Sequence, residues 1–330
     1  MKLFFSLTFL LFVLSSFSIS KEDKSRMNEE AENWIDDIPL GLQDRLSDAV
    51  VHAQRGFFNE INYFRSISDT IGSYEYQVEI TDTTCGKNQD IRVRIYSPGK
   101  ATTLEENHPV LIYFHGGGWN LGSIGVSDKF CRALASEGKI CVYSIDYPLA
   151  PEHKYPAAIN VCIDAVTSIS RNLKETCNFS LGGDGSGGNL AFETFLAISK
   201  DQNTITKVNS IIAYYPLIRT SGSLSEKSKE LYGRNYGFDS RVWEAFIDSY
   251  AGAAGNLIEK QIPNLPSTLI ISAGKDIIQD QILEFTKNNS QIELITFDNS
   301  LHGFITDGHQ PTAFNLAVSI TSQFLNRQNQ

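Results

Sequence analysis

Cationic side chains are in short supply in this chain. Lys and Arg total 28 against 38 Asp and Glu in 330 residues, a formal net charge of −10. No basic field is available to attract phosphates, which excludes nucleic acid and anionic membrane surfaces as partners. Cysteine is also scarce: Cys85, Cys131, Cys141, Cys162 and Cys177 are too few for a disulfide-built scaffold, and none lies in a Cys-x-x-Cys pair of the zinc-ribbon kind. No His/Cys/carboxylate cluster has metal-ligand spacing, and no Gly-x-Gly-x-x-Gly follows a strand pattern. Neither a metal nor a dinucleotide cofactor is therefore expected. Internal repeats and low-complexity linkers are missing too. What is present is 42% hydrophobic and 11% aromatic, enough to fill a core and to rule out intrinsic disorder. The length accommodates one large α/β domain or two smaller ones.

Long apolar runs are confined to the N-terminus. After Lys2 the stretch Leu3–Leu14 is apolar except for Ser6 and Thr8, small residues follow at Ser15, Ser16, Ser18 and Ser20, and charge begins at Lys21. This is the pattern of a cleavable secretory leader over residues 1–20, cut after Ser18 or Ser20. It implies a secreted or secretory-lumen protein with no membrane span in the mature chain. An uncleaved anchor is the competing reading, since Leu3 to Ile19 lies at the short edge of bilayer-spanning length. An oxidising route would permit disulfides, but the cysteine count is odd. Cys131 and Cys162 lie in helical patterns and Cys141 in a strand, where small buried hydrophobes are equally expected. Of the two sequons, Asn178-Phe179-Ser180 falls at the start of a core strand, which leaves Asn288 the better glycan acceptor.

Residues 21–33 are charged and expected to be mobile. Helical spacing runs from Trp34 to Ile67, and alternating strand patterns follow at 74–82 and 91–96. Continuous apolar runs then appear at 109–114, 139–145, 178–182, 209–216, 268–272 and 292–297, most of them separated by helical segments. Fully apolar strands alternating with helices imply a mostly parallel sheet covered on both faces. The fold class expected is α/β, with about eight strands in a single domain over 21–330. The interval between the runs at 209–216 and 268–272 is too long for a simple crossover. It reads as a helical cap formed by about 217–260, joined by about 34–67.

The chemistry lies at the ends of those strands. His115-Gly116-Gly117-Gly118-Trp119 directly follows one of them, and three glycines let backbone N–H groups turn toward a developing negative charge. Gly183-Asp184-Gly185-Ser186-Gly187-Gly188-Asn189 sits at a later strand-to-helix junction, Asp276 ends another strand, and His302 follows the last. Elbow, acid and then histidine is the chain order of α/β hydrolases.

Residues from about 75 to 325 resemble the hormone-sensitive-lipase-like branch of that family, which includes microbial carboxylesterases, arylacetamide deacetylase and the plant gibberellin receptors. The resemblance is carried by HGGGW at 115–119, by the run from Asp146 to Ala158, by GDGSGGN at 183–189, and by Asp276 and His302 in their contexts. Pro148 stands where an Arg is usual. It implies an α/β hydrolase fold and carboxylic-ester hydrolysis, with a small apolar ester or another small molecule as ligand and with no cofactor. Asp276 and His302 would complete a catalytic triad, and the N–H groups of Gly117, Gly118 and Ser186 would form the oxyanion hole.

The elbow departs from the family. Gly-Asp-Ser-(Ala/Ser)-Gly-Gly-Asn laid on this chain puts the nucleophile serine at Gly185, with Ser186 one position later. The elbow demands φ > 0, which Gly accepts freely, so the change spares the fold and removes the nucleophile. Ser186 is the displaced candidate, although shifting the turn by one would put Asp184 where the turn wants a small residue. Two functions follow as expectations: a weak or inactive esterase relative, and a non-catalytic pseudo-hydrolase that holds a small ligand. The gibberellin receptors resemble the second but lack the histidine that this chain keeps. His115, His153 and Asp280 read as structural, and His52, His108 and His309 as lone histidines with no partner pattern, exposed or satisfied in the fold. Tyr214, Tyr215, Tyr232, Tyr236, Phe238 and Trp243 are candidates for pocket walls or cap packing.

Overall fold

The structure, a computed structural model, describes residues 18–68, 76–99, 108–250, 256–258, 260–306 and 308–329. Eight strands make one sheet in the order β1-β2-β4-β3-β5-β6-β7-β8. β1 (Glu79–Cys85) and β2 (Ile91–Ser97) form an antiparallel hairpin, and β2 pairs antiparallel with β4 (Cys141–Ile145). β3 (Val110–Phe114), β5 (Phe179–Asp184), β6 (Val208–Tyr214), β7 (Ser267–Lys275) and β8 (Ile292–Leu301) continue the sheet in parallel with β4. Every residue of β3 and β5 is buried, as apolar strands covered on both faces require. The expected mostly parallel, eight-stranded α/β sheet is what the chain forms.

The two faces carry separate cores. One holds α5 (Ala157–Asn172), α6 (Ser186–Ile198) and α10 (Gln279–Asn288), through residues such as Val166, Phe192 and Phe285. The other holds α1 (Lys21–Asp37), α4 (Asp128–Ser136) and α11 (Pro311–Gln328), through Met27, Phe130 and Phe324. A short α7 (Gln202–Ile205) leads into β6. Between β6 and β7 lie α8 (Glu226–Tyr232) and α9 (Ser240–Tyr250). α9 packs against α2 (Leu42–Gln54), which in turn meets α3 (Asn59–Ser68).

Two expectations are corrected. Residues 21–33 are not a mobile tail but most of α1, which lies along β8 and α11. The reason is a narrow stripe: Met27 and Ala31, one turn apart, are the buried pair, and the charged residues around them cover the helix's other sides. Lys24 pairs with Asp298, Lys275 Nζ donates to Asn28, and Glu30 accepts from Thr312. The first strand occupies Glu79–Cys85 rather than 74–82, of which 74 and 75 lie outside the described residues. His309, expected to be exposed or satisfied in the fold, is satisfied: its ring stacks on Trp34 with centroids 3.6 Å apart. His52 likewise has Glu60 at 2.8 Å.

All five cysteines are buried, and none is in a disulfide. Burial holds the Cys131 and Cys162 thiols well above their ordinary range, and Cys85 is pushed up to about 12. Among the described residues no helix is long and apolar enough to cross a membrane. Residues 1–17 of the expected leader lie outside the described residues.

Candidate active site

Four strand ends converge on one pocket. β3 runs into the glycine loop, where Gly117, Gly118 and Trp119 adopt φ of 111°, 60° and 61°. A side chain at Gly117 would strike the Leu121 carbonyl at 2.3 Å. The loop is fixed from behind: the amides of Asn120 and Leu121 donate to Gly117 O, and Asn120 Nδ2 donates to Gly118 O at 2.7 Å. Trp119, whose left-handed backbone is costly for a bulky residue, is fully buried and stacks on Tyr250 with centroids 4.6 Å apart. His115 is buried behind the loop, stacked on Tyr147, with Nδ1 2.8 Å from the Gly116 carbonyl.

β5 ends at Asp184 and passes through Gly185 into α6. Gly185 has φ 51° and ψ −115°, a strained combination for any residue with a side chain. Its N–H donates to Tyr214 O on β6, and its carbonyl accepts from Leu217 N, so the turn is held on both sides. The surrounding glycines are required by contact. A Cβ at Gly187 would lie 1.9 Å from the Phe114 carbonyl oxygen, and one at Gly183 would lie 2.4 Å from the same atom. At Gly185 the space is open. Among the described residues, the only heavy atom within 4 Å of a Cβ there, outside its chain neighbours, is His302 Nε2 at 3.7 Å.

Asp276 follows β7, with Oδ1 accepting from Ile278 N at 3.1 Å and Oδ2 lying 2.8 Å from His302 Nδ1. His302 follows β8 directly. Phe238 stacks on its ring with centroids 4.4 Å apart, and Tyr215 tilts against it at 4.6 Å. With Nδ1 occupied by a carboxylate, Nε2 is the nitrogen free to exchange a proton toward Gly185. The cavity, about 200 Å³, is lined by Gly117, Gly118, Gly185, Ser186, Phe238 and His302, with Phe246 and Val242 of α9 and Leu46 of α2 beside them.

The structure thus brings Asp276, His302, Gly185 and the glycine loop together. Ser186 stands apart in its hydroxyl: Oγ is fully buried and accepts from Trp119 N–H at 3.2 Å, with the Tyr147 hydroxyl beside it. Its N–H opens α6, where helical amides have no intrahelical acceptor. Of the aromatic candidates, Tyr215 and Phe238 line the cavity, while Trp243 lies in the core and Tyr214 bonds Thr321 at 2.6 Å. Tyr232 and Tyr236 pack on each other. Asp280 accepts from Ser225 and Ser228 at 2.5 and 2.8 Å, which ties α8 to α10 and holds its carboxyl below the ordinary range.

Sequence reasoning passed over three features. Asp184 lies buried beneath the elbow, accepting from Tyr113 Oη at 2.7 Å and from Gly116 N at 3.0 Å; burial pushes its carboxyl up to about 6 against those bonds. Phe246 packs so closely on Gly118 that a Cβ there would overlap its ring at 1.9 Å. Arg65 of α3 grips Glu152 with both terminal nitrogens and donates to the carbonyls of Asn120 and Ala150. Only Asp184 had a local signal, as an acid inside a run of glycines.

A family model described as the alpha/beta hydrolase fold matches residues 111–306. Among curated proteins, the chain is 32% identical over 199 residues to a versiconal hemiacetal acetate esterase of Aspergillus parasiticus, covering 57% of this chain and 62% of that one, a little under two thirds of its length. It is 28% identical over 264 residues to a 2-hydroxyisoflavanone dehydratase of Glycyrrhiza echinata, covering 70% of this chain and 80% of that one. Among solved structures, an esterase of Pyrobaculum calidifontis superimposes with TM-score 0.70 at 25% identity, covering 81% of this chain and 92% of that one.

Proposed function

Since the chain belongs to the α/β hydrolase fold family, in its hormone-sensitive-lipase-like carboxylesterase branch, we propose that it is a slow carboxylic-ester hydrolase for small apolar esters, working without a covalent acyl-enzyme. In the serine mechanism a hydroxyl attacks the acyl carbon while the imidazole takes its proton. Here the elbow position that would carry the hydroxyl is Gly185, and the space before His302 Nε2 is open. That observation carries the reading. A water in this space gives its proton to Nε2 as its oxygen adds to the acyl carbon. The negative charge settles on the N–H groups of Gly117, Gly118 and Ser186. The proton then returns to the departing alkoxide. Asp276 holds the ring and supports the imidazolium.

Loss of a triad nucleophile costs on the order of 10⁶ in kcat, and about 10³–10⁴ over water survives from the hole and binding. The Oγ of Ser186 belongs on this reading to the glycine loop, as the acceptor that steadies Trp119. The helices α2, α3, α8 and α9 serve as the cap, with Leu46, Val242 and Phe246 supplying an apolar wall. A dehydratase among the relatives supports reading the frame as one that serves more than ester cleavage.

One observation favours a second reading, ligand retention without turnover. Phe238 covers His302 and Phe246 covers Gly118, which leaves a cavity below the ~300–1,000 Å³ usual for drug-sized ligands. The two readings separate on a p-nitrophenyl acetate assay with fluorophosphonate labelling. The native protein is expected to turn over slowly without labelling, His302→Ala to fall to background, and Gly185→Ser to label and gain on the order of 10²-fold or more. Native activity at the His302→Ala level supports retention instead. Native labelling lost in Ser186→Ala overturns the assignment of the elbow.

A further inference from the structure

We propose that the helical hairpin of α2 and α3 docks the protein on the surface of a zwitterionic phospholipid bilayer, with Leu40 and Phe57 inserted among the lipids. The inference lies outside the reading of His302 and Gly185, and its test needs no turnover.

Among the described residues six large hydrophobic side chains are exposed, and four of them, Leu40, Phe57, Tyr63 and Ile67, belong to this hairpin or to the turn that opens it. Leu40 and Phe57 stand at its two turns. Leu42 N–H donates to Pro39 O at 3.0 Å and Gly41 has φ 74°, the pattern of a type II turn whose corner residue is Leu40, 103% exposed. At the other end α2 stops at Gly56, φ 89°, with Gly56 N–H on Ala53 O and Phe57 N–H on His52 O. An apolar residue just past such a stop commonly packs back on the helix's last turns. Phe57 instead stays 69% exposed. Tyr63 and Ile67, four positions apart, share one side of α3.

The spacing of these side chains selects the occupant. Leu40 and Phe57 flank α2, whose length is about 20 Å, and exposed Arg55, Asn59, Glu60 and Ser66 interrupt the apolar surface. A protein partner needs a contiguous dry centre in its interface. A fluid bilayer admits separate protruding tips and favours aromatic side chains at headgroup level. Charge then decides which bilayer. Residues 40–68 carry Arg45, Arg55 and Arg65 against Asp44, Asp48 and Glu60, a net charge of zero on a chain of −10. Anionic lipid would repel the rest of the molecule. Arg55 and Glu60 line one surface hollow with Phe57. Arg55 has no ion pair among the described residues and meets a headgroup phosphate, while Glu60 meets the quaternary ammonium of the same layer.

The hairpin's inner side gives the contact a use. Gln43 and Leu46 of α2 and Ser68 of α3 line the active-site cavity. The element that touches the bilayer is thus also a wall of the cavity, and docking brings a ligand dissolved in the lipid to that wall.

The experiment reads insertion at a named position in the full-length protein, because a retained leader would bind lipid by itself. Phe57→Trp is mixed with vesicles of dibrominated phosphatidylcholine, whose bromines quench a tryptophan that enters the acyl region. Leu283→Trp, at an exposed leucine of α10 outside the hairpin, is the control. The emission of Trp34, Trp119 and Trp243 in the native protein is subtracted. The added emission of Phe57→Trp is expected to fall by at least about half, and that of Leu283→Trp to stay nearly unchanged. Adding Leu40→Ser is expected to raise the lipid concentration for half-maximal quenching at least about 5-fold, with circular dichroism unchanged. Replacing a third of the lipid by phosphatidylglycerol is expected to raise it as well at low salt. Quenching of Phe57→Trp no greater than that of Leu283→Trp overturns the docking. Tighter binding to the anionic vesicles overturns the choice of lipid, and a midpoint indifferent to Leu40→Ser overturns the part given to Leu40. A concentration-dependent dimer in sedimentation velocity, abolished by Phe57→Ser and unaccompanied by quenching, assigns the hairpin to a second copy instead. None of these readouts involves ester hydrolysis, so failure of the docking and failure of the proposed activity are told apart.

Discussion

At residue scale, the glycines around the elbow are there for different reasons, and alanine tells them apart. At Gly187 the new methyl would overlap a backbone oxygen of β3 at 1.9 Å. Neither partner can swing away, so α6 must leave the sheet. Gly187→Ala is expected to lose at least about 3 kcal/mol, beyond ordinary overpacking, or to fail to accumulate as folded protein. At Gly185 the methyl meets open space, and only the backbone strain at φ 51° and ψ −115° remains. Gly185→Ala is expected to cost about 1–3 kcal/mol by urea unfolding while keeping the native circular dichroism. Equal destabilisation of the two variants would overturn the contact argument.

Asp184 supplies a pH-dependent prediction at the same scale. Burial raises its carboxyl from an ordinary value of 3.8 to about 6, so the folded state holds its proton more tightly than the unfolded chain does. The neutral carboxyl's advantage is therefore complete below about pH 4 and is lost as pH rises through about 6. Asn keeps an oxygen for Tyr113 and Gly116 and never ionises. Asp184→Asn is expected to be more stable than the native protein at pH 8, by up to about 3 kcal/mol, with the difference shrinking toward pH 4. A gap that stays constant from pH 4 to pH 8 would show that ionisation of this group is not what separates them.

At the scale of elements, what was legible in the sequence was whatever depends on neighbours along the chain. Apolar runs placed the strands, and His115–Trp119, Gly183–Asn189, Asp276 and His302 stood at strand ends, where α/β sheets present functional groups. Contacts between distant segments had no such signature. The Arg65 contacts bridge 55 to 87 positions to reach Asn120, Ala150 and Glu152, and nothing local marks that arginine among the charges of its helix. Phe246 reads as one more core residue of α9 until its ring is found against Gly118. α1 was missed because a two-residue buried stripe is too narrow to show through its charges.

Arg65 makes that long-range order testable. Its side chain is 19% exposed, and it ties α3 to both the glycine loop and the turn at Glu152. Arg65→Met keeps much of the stem's packing but leaves two carbonyls and a carboxylate without their donor. A loss of about 2 kcal/mol is expected. Glu152→Gln is expected to cost less, because Glu152 is a third exposed and water replaces part of the lost attraction. A double-mutant cycle by urea unfolding measures the coupling, and a coupling of zero would reduce the contact to surface decoration.

At the scale of the whole molecule, the packing of α1 bears on where an N-terminal leader would be cut. We propose that the chain takes a secretory route and is cut after Ser18 rather than after Ser20. Ile19 packs against the core that includes Met27 and Phe324, and Ser20 caps α1, its Oγ accepting from Asp23 N at 3.0 Å and donating to Asp23 Oδ2 at 2.6 Å. A cut after Ser18 keeps both residues. A cut after Ser20 removes both and places the new α-ammonium group on the first helical residue, where the helix dipole disfavours positive charge. Loss of a serine cap costs about 1 kcal/mol, and α1 lies along β8, the strand that delivers His302. Secretion from a eukaryotic host followed by intact-mass analysis is expected to show a chain starting at Ile19. A chain retaining residues 1–18 supports the anchored alternative. A start at Lys21 with undiminished thermal stability would mean that the cap and Ile19 contribute nothing to holding α1 against the sheet.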